Sequence, residues 1–338
     1  MEVVGTSALI PITSADSSQV GQARRRAISL ANALEFGEIR VGELSIIVTE
    51  AARNIAAHAG DGSLILSPWV LGERAGIDVL AIDQGPGIRD IDLACEDGFS
   101  TAGTAGQGLG AISRLAGKVQ IYSIPNAGTI LFARVFRESK GSGEDVEDLA
   151  IGAVSVPLSG ETLCGDAWSA SYVPGRSIYL VADGLGHGTF AAEAAQEAVR
   201  VFNQTAKRTP EFILKEIHSA LSKTRGAAVS IAEILHDDRV LNYAGAGNIS
   251  AVIYCAGKTK SVVSMNGTVG HSVAKFQQFS YPWESNSMLL MHSDGVATRW
   301  SLDQYAGLAS RHEAVIAALL YRDFNRRRDD ATILVTRK

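Results

Sequence analysis

Residues 138–148 (ESKGSGEDVED) interrupt the apolar periodicity of the chain and divide it into two parts. Glycine, serine and acidic residues dominate this segment, a composition typical of a linker. Helix and strand signals alternate before it, whereas the longer part after it has more strands. With 338 residues, 46% of them apolar, the chain can form two domains of ordinary size. We therefore expect one domain over residues 1–137, a linker at 138–148 and a second domain over 149–338.

The overall charge and the cysteine content exclude several classes of function. A formal net charge of −5 argues against a nucleic-acid or anionic-membrane binder, because such proteins need a dense basic surface. Cys95, Cys164 and Cys255 lie far apart without metal-ligand spacing, so we expect structural thiols in a reducing compartment. No apolar run reaches the length of a membrane-spanning helix, and no basic stretch precedes an apolar core at the N-terminus. We expect a cytosolic protein.

Two polar residues on a predicted helix form the first candidate site. An apolar stripe at helical spacing predicts the helix; its members are Leu44, Ile47, Val48, Ala51 and Ile55. Glu50 and Asn54 are four residues apart at the border of that stripe and share a face. An asparagine oxygen can ligate Mg²⁺, and a nearby carboxylate can orient or deprotonate the group that attacks a γ-phosphate. A solvated helix flank explains the same pair without any function.

Glycine-rich loops follow the helix. The run at 77–82 (IDVLAI) predicts a buried strand that leads into the turn DQGPG at 83–87. Glycines at 103, 106, 108 and 110 precede or begin a predicted helix at 109–115, where free backbone N–H groups can bind phosphate. Such a stretch is also typical of a merely flexible loop. Neither a dinucleotide-binding fingerprint after a first strand nor a P-loop occurs, which disfavours both of those nucleotide folds.

Taken together, these N-terminal motifs resemble the Bergerat (GHKL) ATP-binding fold over most of residues 10–137. EAARNI, AIDQGPGI and EDGFSTAG are similar to the RsbT-like serine kinases of stress-response partner-switching modules. The resemblance implies a mixed sheet with helices on one side, an α/β sandwich. It further implies Asn54 as Mg²⁺ ligand, Glu50 as catalytic base, Asp83 as partner of the adenine amino group, and an ATP site completed by Gly85, Gly87, Gly106, Gly108, Gly110 and Thr129. A threonine in a β-strand is a simpler explanation for Thr129.

Aspartates gather at the ends of predicted strands in the second part. They are Asp166 in CGDAW, Asp183 in VADGLGHG, Asp294 in HSDG, and the pair Asp329-Asp330 in RDDATILV. Carboxylates that converge from strand ends can hold two Mg²⁺ or Mn²⁺ ions. Two ions about 3.5–4 Å apart can activate a bridging water for phosphomonoester hydrolysis. Any single Asp-Gly pair is more often just a turn. Between these blocks, residues 190–202 predict an amphipathic helix.

In this order, the four blocks resemble the metal-dependent PPM phosphatases of the SpoIIE-type and RsbX-like branch, over about residues 150–337. The resemblance implies an α-β-β-α sandwich in which Asp183 bridges the metals and the Gly184 carbonyl is a further ligand. Asp166, Asp294 and Asp329 complete the ligand set, and Asp330 is the less favoured member of its pair. His187 could protonate the leaving serine oxygen or fix a metal-bound water, and a structural role explains it equally well. Cys164 stands where the family usually has a glycine.

The predicted fold class is therefore α+β in two domains, and the predicted function is that of a bifunctional partner-switching regulator. The first domain would phosphorylate a STAS-type or stressosome-type partner with ATP, and the second would remove phosphate from serine or threonine. Such opposed activities require regulation by nucleotide or partner. One alternative is a metal-dependent phosphatase whose first domain only senses ATP, and another is an anti-sigma-like protein that sequesters its partner. The sequence leaves a homodimer open.

Overall fold

A computed structural model describes the backbone of residues 2–4 together with residues 7–95, 108–138 and 150–337. The chain contacts divide it into two compact units. The N-terminal unit comprises Ser7–Leu149 and Ser310–Arg322, and the C-terminal unit comprises Met1–Thr6, Ala150–Ala309 and Asp323–Lys338. The predicted linker at 138–148 lies, apart from Glu138, outside the described residues.

The described residues of the first part of the chain form an antiparallel sheet and four α-helices. The strand order in this sheet is β2-β3-β4-β6-β5. The elements are β1 (Glu2–Val4), β2 (Ala8–Thr13), α1 (Ser18–Ala33), α2 (Glu38–Asn54), β3 (Asp61–Leu71), β4 (Arg74–Asp83), α3 (Ile91–Cys95), α4 (Gly108–Leu115), β5 (Lys118–Ser123) and β6 (Thr129–Phe136). Strand β1 pairs instead with a strand of the C-terminal unit, to which it belongs.

Helices α1, α2 and α4 form the helical layer of the N-terminal core. The predicted stripe on α2 is confirmed, because all five of its apolar residues are buried, while Glu50 and Asn54 are half-buried beside them. Three alanines of α1 are fully buried, and their small side chains allow the close approach of α1 to α2. The predicted sheet covered by helices is therefore found, but the prediction of a mixed sheet was wrong, because all four described strand pairings are antiparallel.

The end of α2 departs from a regular helix. The chain continues from Asn54 into one π-helical turn, Ile55–Ala59, and leaves it at Gly60 with φ +78°. A positive φ is the conformation that favours glycine. A π turn widens the helix locally and often occurs at functional sites. It places Asn54 at the junction of the two helical forms.

The C-terminal unit contains two larger sheets. Their strand orders are β1-β8-β9-β10-β11-β16 and β13-β12-β17-β18-β7, with a small β14-β15 hairpin beside them. The remaining elements of the chain are β7 (Ile151–Val156), β8 (Asp166–Val173), β9 (Arg176–Gly184), α5 (Thr189–Thr205), α6 (Pro210–Ala220), β10 (Ala227–Leu235), β11 (Val240–Ala246), β12 (Ser250–Cys255), β13 (Lys258–Ser261), β14 (Gly267–Thr268), β15 (Ser272–Val273), β16 (Phe279–Pro282), β17 (Met288–His292), α7 (Glu313–Phe324) and β18 (Ala331–Arg337).

Helices α5 and α6 pack on the six-stranded sheet. The helix predicted at 190–202 is confirmed as α5, and its predicted apolar face is fully buried in the core of this unit. The strands predicted before Asp183 and Asp294 and after the Asp329-Asp330 pair are β9, β17 and β18. Every predicted metal-site aspartate therefore lies at or next to a strand end.

Residues Ser310–Arg322 cluster with the N-terminal unit although they come late in the sequence. His312 stacks on Phe132 of β6 with ring centroids 4.3 Å apart, and its backbone N–H donates to Gln120 of β5. The sequence patterns do not indicate that this late segment of the chain belongs to the N-terminal unit. None of the described helices has both the length and the apolar character needed to cross a membrane.

Candidate functional site

A cavity of about 550 Å³ opens in the N-terminal unit beside the α2 junction. Asn54, Asp83, Gly87, Gly108 and Thr129 line it together with apolar side chains of α2, α4 and β6. A concave, mostly apolar space with a few polar groups is the usual form of a small-molecule site. The cavity therefore brings together five of the residues predicted for nucleotide binding.

Asp83 ends β4 at the floor of this cavity. Its Oδ1 atom accepts hydrogen bonds from the backbone N–H groups of Gly85 at 2.8 Å and Thr129 at 3.1 Å. Burial raises the pKa of this carboxyl above its ordinary value, and these two hydrogen bonds oppose the shift. The backbone of Thr129 thus orients Asp83, while the Thr129 hydroxyl lies 2.8 Å from the Ser123 hydroxyl.

The turn after Asp83 depends on two glycines. Gly87 has φ +71°, and a Cβ atom there would lie 2.3 Å from the Ile124 carbonyl oxygen. A Cβ atom on Gly85 would lie 2.6 Å from the Ala59 side chain. Both distances are shorter than non-bonded atoms tolerate, so only glycine lets the backbone pass this close. Gly85 shapes the turn, and Gly87 also lines the cavity.

Glu50, Asn54 and Gly108 meet where α4 begins. A Cβ atom on Gly108 would lie 3.1 Å from Glu50 Oε2 and 3.5 Å from Asn54 Oδ1. The other Glu50 oxygen, Oε1, accepts an ion-pair hydrogen bond of 3.0 Å from Arg53. Gly110 is buried inside α4, and neither it nor Glu50 is among the residues that line the cavity. Gly106 and the rest of the predicted glycine loop up to residue 107 lie outside the described residues.

Sequence reasoning missed two basic groups near Asp83. His58 lines the cavity and lies four residues after Asn54, a spacing that could have identified it. The Arg322 guanidinium donates to the carbonyl oxygens of Asp83 at 3.3 Å and Ala127 at 2.8 Å. No local pattern could have predicted the Arg322 contact, because its partners lie about 200 residues earlier in the chain.

The predicted metal-site aspartates converge in the C-terminal unit. Asp166 begins β8 and is directly opposite Asp183 of β9 in the antiparallel register. Gly184 then ends β9, and its N–H donates to the Gly165 carbonyl oxygen at 3.0 Å. Asp294 follows β17. Strand β17 pairs with β18, and β18 begins directly after Asp329 and Asp330.

Like charges and burial dominate the electrostatics of this cluster. Burial and then the neighbouring carboxylates of Asp294 and Asp329 raise the pKa of Asp183 to about 7. Burial and then the Asp183 charge raise the pKa of Asp166 well above its ordinary value, and burial also raises the pKa values of Asp294 and Asp330. A group of carboxylates that cannot all ionise together is stabilised when a cation binds among them.

Hydrogen bonds separate the roles of the individual aspartates. Both carboxylate oxygens of Asp330 accept backbone N–H groups, from Leu158 at 2.7 Å and Gly165 at 2.8 Å. Asp329 accepts only the N–H of Asp330 among the hydrogen bonds described for it. Asp330 thus connects its own loop to the loop between β7 and β8. Asp329 is therefore the better candidate ligand of the pair.

Two residues that sequence reasoning missed hold further aspartates in place. The Ser293 hydroxyl donates to Asp166 at 2.6 Å, and the Asn248 amide donates to Asp294 at 2.7 Å. Ser293 directly precedes Asp294, so its position in HSDG was the available signal. The hard oxygen donors of this cluster fit Mg²⁺ or Mn²⁺. Within the described residues, no group of three or more Asp, Glu, His or Cys side chains is arranged so that it could hold a metal ion without some movement of the side chains.

Cys164 lies in the loop before Asp166, and His187 lies in the loop after Asp183. The His187 Nδ1 atom is 2.7 Å from Glu161 Oε1, and the imidazole is half exposed. Cys164 is buried beside Ser155, and burial raises the pKa of its thiol, so it remains protonated and unreactive. The glycines next to the aspartates allow close packing, since a Cβ atom on Gly184 would lie 2.1 Å from the Ala191 carbonyl oxygen.

Each of the two parts of the chain is similar to a known protein family. Residues 13–135 match the family model of the histidine kinase-like ATPase domain, and residues 174–338 match that of stage II sporulation protein E (SpoIIE). The chain is 36% identical over 107 residues to the serine/threonine-protein kinase RsbT of Bacillus subtilis (strain 168), which covers 32% of this chain and 80% of RsbT.

The second part has relatives among phosphatases and solved structures. The chain is 26% identical over 138 residues to the phosphoserine phosphatase RsbX of Bacillus subtilis (strain 168), which covers 40% of this chain and 69% of RsbX. A structure from the bacterial stressosome, described as a modular system adapted to control secondary messenger signaling, superposes with a TM-score of 0.52 at 26% identity, over 55% of this chain and 98% of that one. The chain therefore belongs to the RsbT family of histidine kinase-like ATPases through its N-terminal part, and its C-terminal part is a SpoIIE-type, PP2C-like phosphatase domain.

Proposed function

We propose that this protein is a bifunctional partner-switching regulator that phosphorylates a STAS-type partner protein on serine or threonine and also removes such phosphates. The observation that carries the proposal is that the N-terminal unit has a cavity lined by Asn54, Asp83 and Thr129, while the C-terminal unit has a separate group of neighbouring aspartates. The similarity to a kinase, RsbT, and to a phosphoserine phosphatase, RsbX, supports both assignments.

In the kinase reaction, the cavity of the N-terminal unit binds ATP. Asp83 would accept a hydrogen bond from the adenine amino group, and the backbone N–H groups at the start of α4, near Gly108, would be available to the phosphates. Asn54 would hold Mg²⁺, which neutralises phosphate charge during transfer. Glu50 lies against Gly108, where it can accept the proton of the attacking hydroxyl.

In the phosphatase reaction, Asp183, the Gly184 carbonyl, Asp166, Asp294 and Asp329 would hold two Mg²⁺ or Mn²⁺ ions. Such a pair of ions supplies a water nucleophile at neutral pH and neutralises the charge of the phosphate. Ser293 and Asn248 fix the carboxylates that they contact. His187, oriented by Glu161, donates a proton to the leaving serine or threonine oxygen.

Hydrolysis of p-nitrophenyl phosphate by the full chain, with and without Mn²⁺, tests the phosphatase half. We expect activity that requires the metal and is lost in Asp183→Asn, because the substitution removes a charged bridging ligand. Asp238→Asn, in an exposed turn between β10 and β11, is the matched control and keeps full activity. Equal activity in the wild type and in Asp183→Asn would overturn the assignment of the site.

Transfer of radiolabel from ATP to a purified STAS-domain protein tests the kinase half. A specific observation favours a second candidate function, in which the N-terminal unit only senses ATP. Glu50 is already paired with Arg53 and does not line the cavity. ATP binding without transfer would establish the sensing function, and binding of the partner without transfer would indicate sequestration. Labelled partner in the wild type and none with Glu50→Ala would establish the kinase.

A further inference from the structure

Arg225 stands out among the basic residues near the carboxylate cluster. It is exposed and lies two residues before Ala227, the strand β10 residue paired with Gly184. The backbone N–H of Leu185 donates to the carbonyl oxygen of Gly226 at 3.1 Å, which ties the loop of Arg225 to the DGLGHG loop. Arg225 is therefore held beside the loop that follows Asp183.

The Arg225 guanidinium faces that loop directly. A Cβ atom on Gly186 would lie 3.3 Å from Arg225 Nη1, so the guanidinium lies in close contact with this residue, whose φ of +83° favours glycine. The guanidinium carbon also lies 4.9 Å from the centroid of the Phe190 ring. Stacking on an aromatic ring restricts an arginine side chain without occupying its N–H donors.

No carboxylate of the described residues is paired with this guanidinium. Among the residues that the structure describes, Arg225 has neither an ion-pair partner nor a hydrogen-bond acceptor, whereas Arg176 is paired with Glu233 and Arg200 with Glu197. His187, another basic group near the cluster, contacts Glu161. The Arg326 charge opposes the rise that burial and Asp329 give to the pKa of Asp294.

We infer that Arg225 binds the phosphate of the phosphorylated protein substrate and that Phe190 positions its side chain. The inference rests on the proposed phosphatase function and adds a substrate-binding residue to it. A phosphomonoester carries close to two negative charges at neutral pH, and the planar guanidinium can donate two parallel hydrogen bonds to its oxygens.

The surroundings of Arg225 fit a protein substrate. Phe190 has 59% of its surface exposed, and Leu185 and Leu163 in the loops next to Asp183 and Asp166 have 45% and 43% exposed. Large apolar side chains exposed around a charged site are typical of surfaces that contact another protein. These side chains can contact the residues that flank a phosphoserine while Arg225 binds its phosphate.

The test compares Arg225→Ala, Arg225→Lys and Phe190→Ala with the wild type, all in the full Mn²⁺-loaded chain. Arg208→Ala is the matched control, because Arg208 stacks on Phe212 in the same way, at 4.5 Å, but belongs to the loop between α5 and α6. Steady-state hydrolysis of p-nitrophenyl phosphate and of a phosphoserine peptide gives kcat and KM. Calorimetric titration measures the affinity for inorganic phosphate and for Mn²⁺.

For Arg225→Ala we expect KM for both substrates and the Kd for phosphate to rise about tenfold or more, since hydrogen bonds between charged groups are lost. We expect kcat and the Mn²⁺ affinity to stay within about threefold of the wild-type values, because Arg225 would bind the substrate and not the metal. Arg225→Lys should recover part of the affinity through its charge, and Phe190→Ala should show a smaller rise that is larger for the peptide. Arg208→Ala should match the wild type.

An unchanged Kd for phosphate and an unchanged KM in Arg225→Ala would overturn the inference, and so would a wild type that binds no phosphate. Failure of the proposed function looks different. A wild type that binds phosphate but hydrolyses neither substrate would overturn the phosphatase activity, and the comparison of phosphate affinities would still decide the role of Arg225.

Discussion

Asp83 is the last residue of β4 and Asp183 is the last but one of β9, each beside a glycine-containing turn, but their surroundings differ in charge. The Asp83 carboxylate receives two backbone N–H groups, which orient it as a hydrogen-bond acceptor. Asp183 is buried and surrounded by other carboxylates, which makes ionisation costly until a cation binds. An aspartate near a strand end and close to a glycine can therefore serve recognition in one unit and metal binding in the other.

Replacing Asp83 with Asn tests the recognition role. The Asn side chain offers one acceptor oxygen where the carboxylate offers two, so the backbone N–H groups and the adenine amino group compete for it. We expect the Kd for ATP to rise about tenfold or more, with a loss of about 1 kcal/mol in the free energy of unfolding. Calorimetric titration with Mg²⁺-ATP measures the first and urea unfolding the second. Asp61→Asn, at an exposed site that begins β3, should change neither.

The raised pKa of Asp183 predicts a pH dependence of the metal-free protein. Its pKa in the fold is about 7, above the ordinary value of 3.8, so folding favours the protonated form. The associated stability is complete below pH 3.8 and decreases as the pH rises through 7. Asp166, Asp294 and Asp330 shift in the same direction and add to the effect.

We therefore expect the melting temperature of chelator-treated protein to fall between pH 5 and 7, and Mn²⁺ to restore it at pH 7 and above. Metal binding at pH 7 should release protons, because the ligands bind in their ionised form. Differential scanning calorimetry at several pH values measures the first effect and titration in buffers of different ionisation enthalpy the second. The melting temperature of Asp183→Asn should depend less on pH, and a wild-type melting temperature that rises across this range would contradict the assignment.

At the scale of elements, local patterns predicted those parts of the fold that local forces determine. The apolar stripe on α2 and the alanine-rich face of α5 were recognisable because the burial of one helix face repeats along the sequence. No repeating sequence pattern predicts the π turn after Asn54, because this turn contacts strands β2, β3 and β4, which are distant or separate elements. The same holds for the pairing of Asp330 with Leu158 and Gly165, which joins residues far apart in sequence. For the candidate sites, the motifs predicted the acidic candidate ligands but not the residues that orient them, such as Ser293 and Asn248.

The contact between Gly108 at the start of α4 and Glu50 of α2 can be tested by substitution. A methyl group on Gly108 would lie 3.1 Å from the Glu50 carboxylate, so Gly108→Ala must displace Glu50 or the helix end. We expect phosphotransfer to fall about tenfold or more, because small displacements of a catalytic group are costly. Radiolabel transfer to the partner measures this effect.

Gly42→Ala is the control within α2. A Cβ atom there meets nothing within 4 Å, and the position is exposed. Alanine is favoured over glycine inside a helix by about 0.5–1 kcal/mol, so the free energy of unfolding should rise by that amount while phosphotransfer stays unchanged. Equal transfer rates in both variants would show that Gly108 does not determine the position of Glu50.

At the scale of the whole molecule, a kinase and a phosphatase in one chain would consume ATP without net effect if both acted on the same phosphate at once. The protein can act as a switch only if the ratio of the two rates changes with a signal. That ratio sets the fraction of partner phosphorylated at steady state. Inactivating each site separately therefore shows both whether the sites are independent and which rate dominates.

Glu50→Ala and Asp183→Asn should move this steady state in opposite directions. With partner, ATP and Mn²⁺ present, we expect Asp183→Asn to raise the phosphorylated fraction and Glu50→Ala to reduce it to the background. Glu50→Ala should still hydrolyse p-nitrophenyl phosphate at the wild-type rate, because Glu50 and the carboxylate cluster belong to different units. Intact-mass spectrometry of the partner gives the phosphorylated fraction, and Asp238→Asn serves as the neutral control. If Glu50→Ala abolished hydrolysis as well, the two units would act as one enzyme, and the nucleotide site would then be a regulator of the phosphatase.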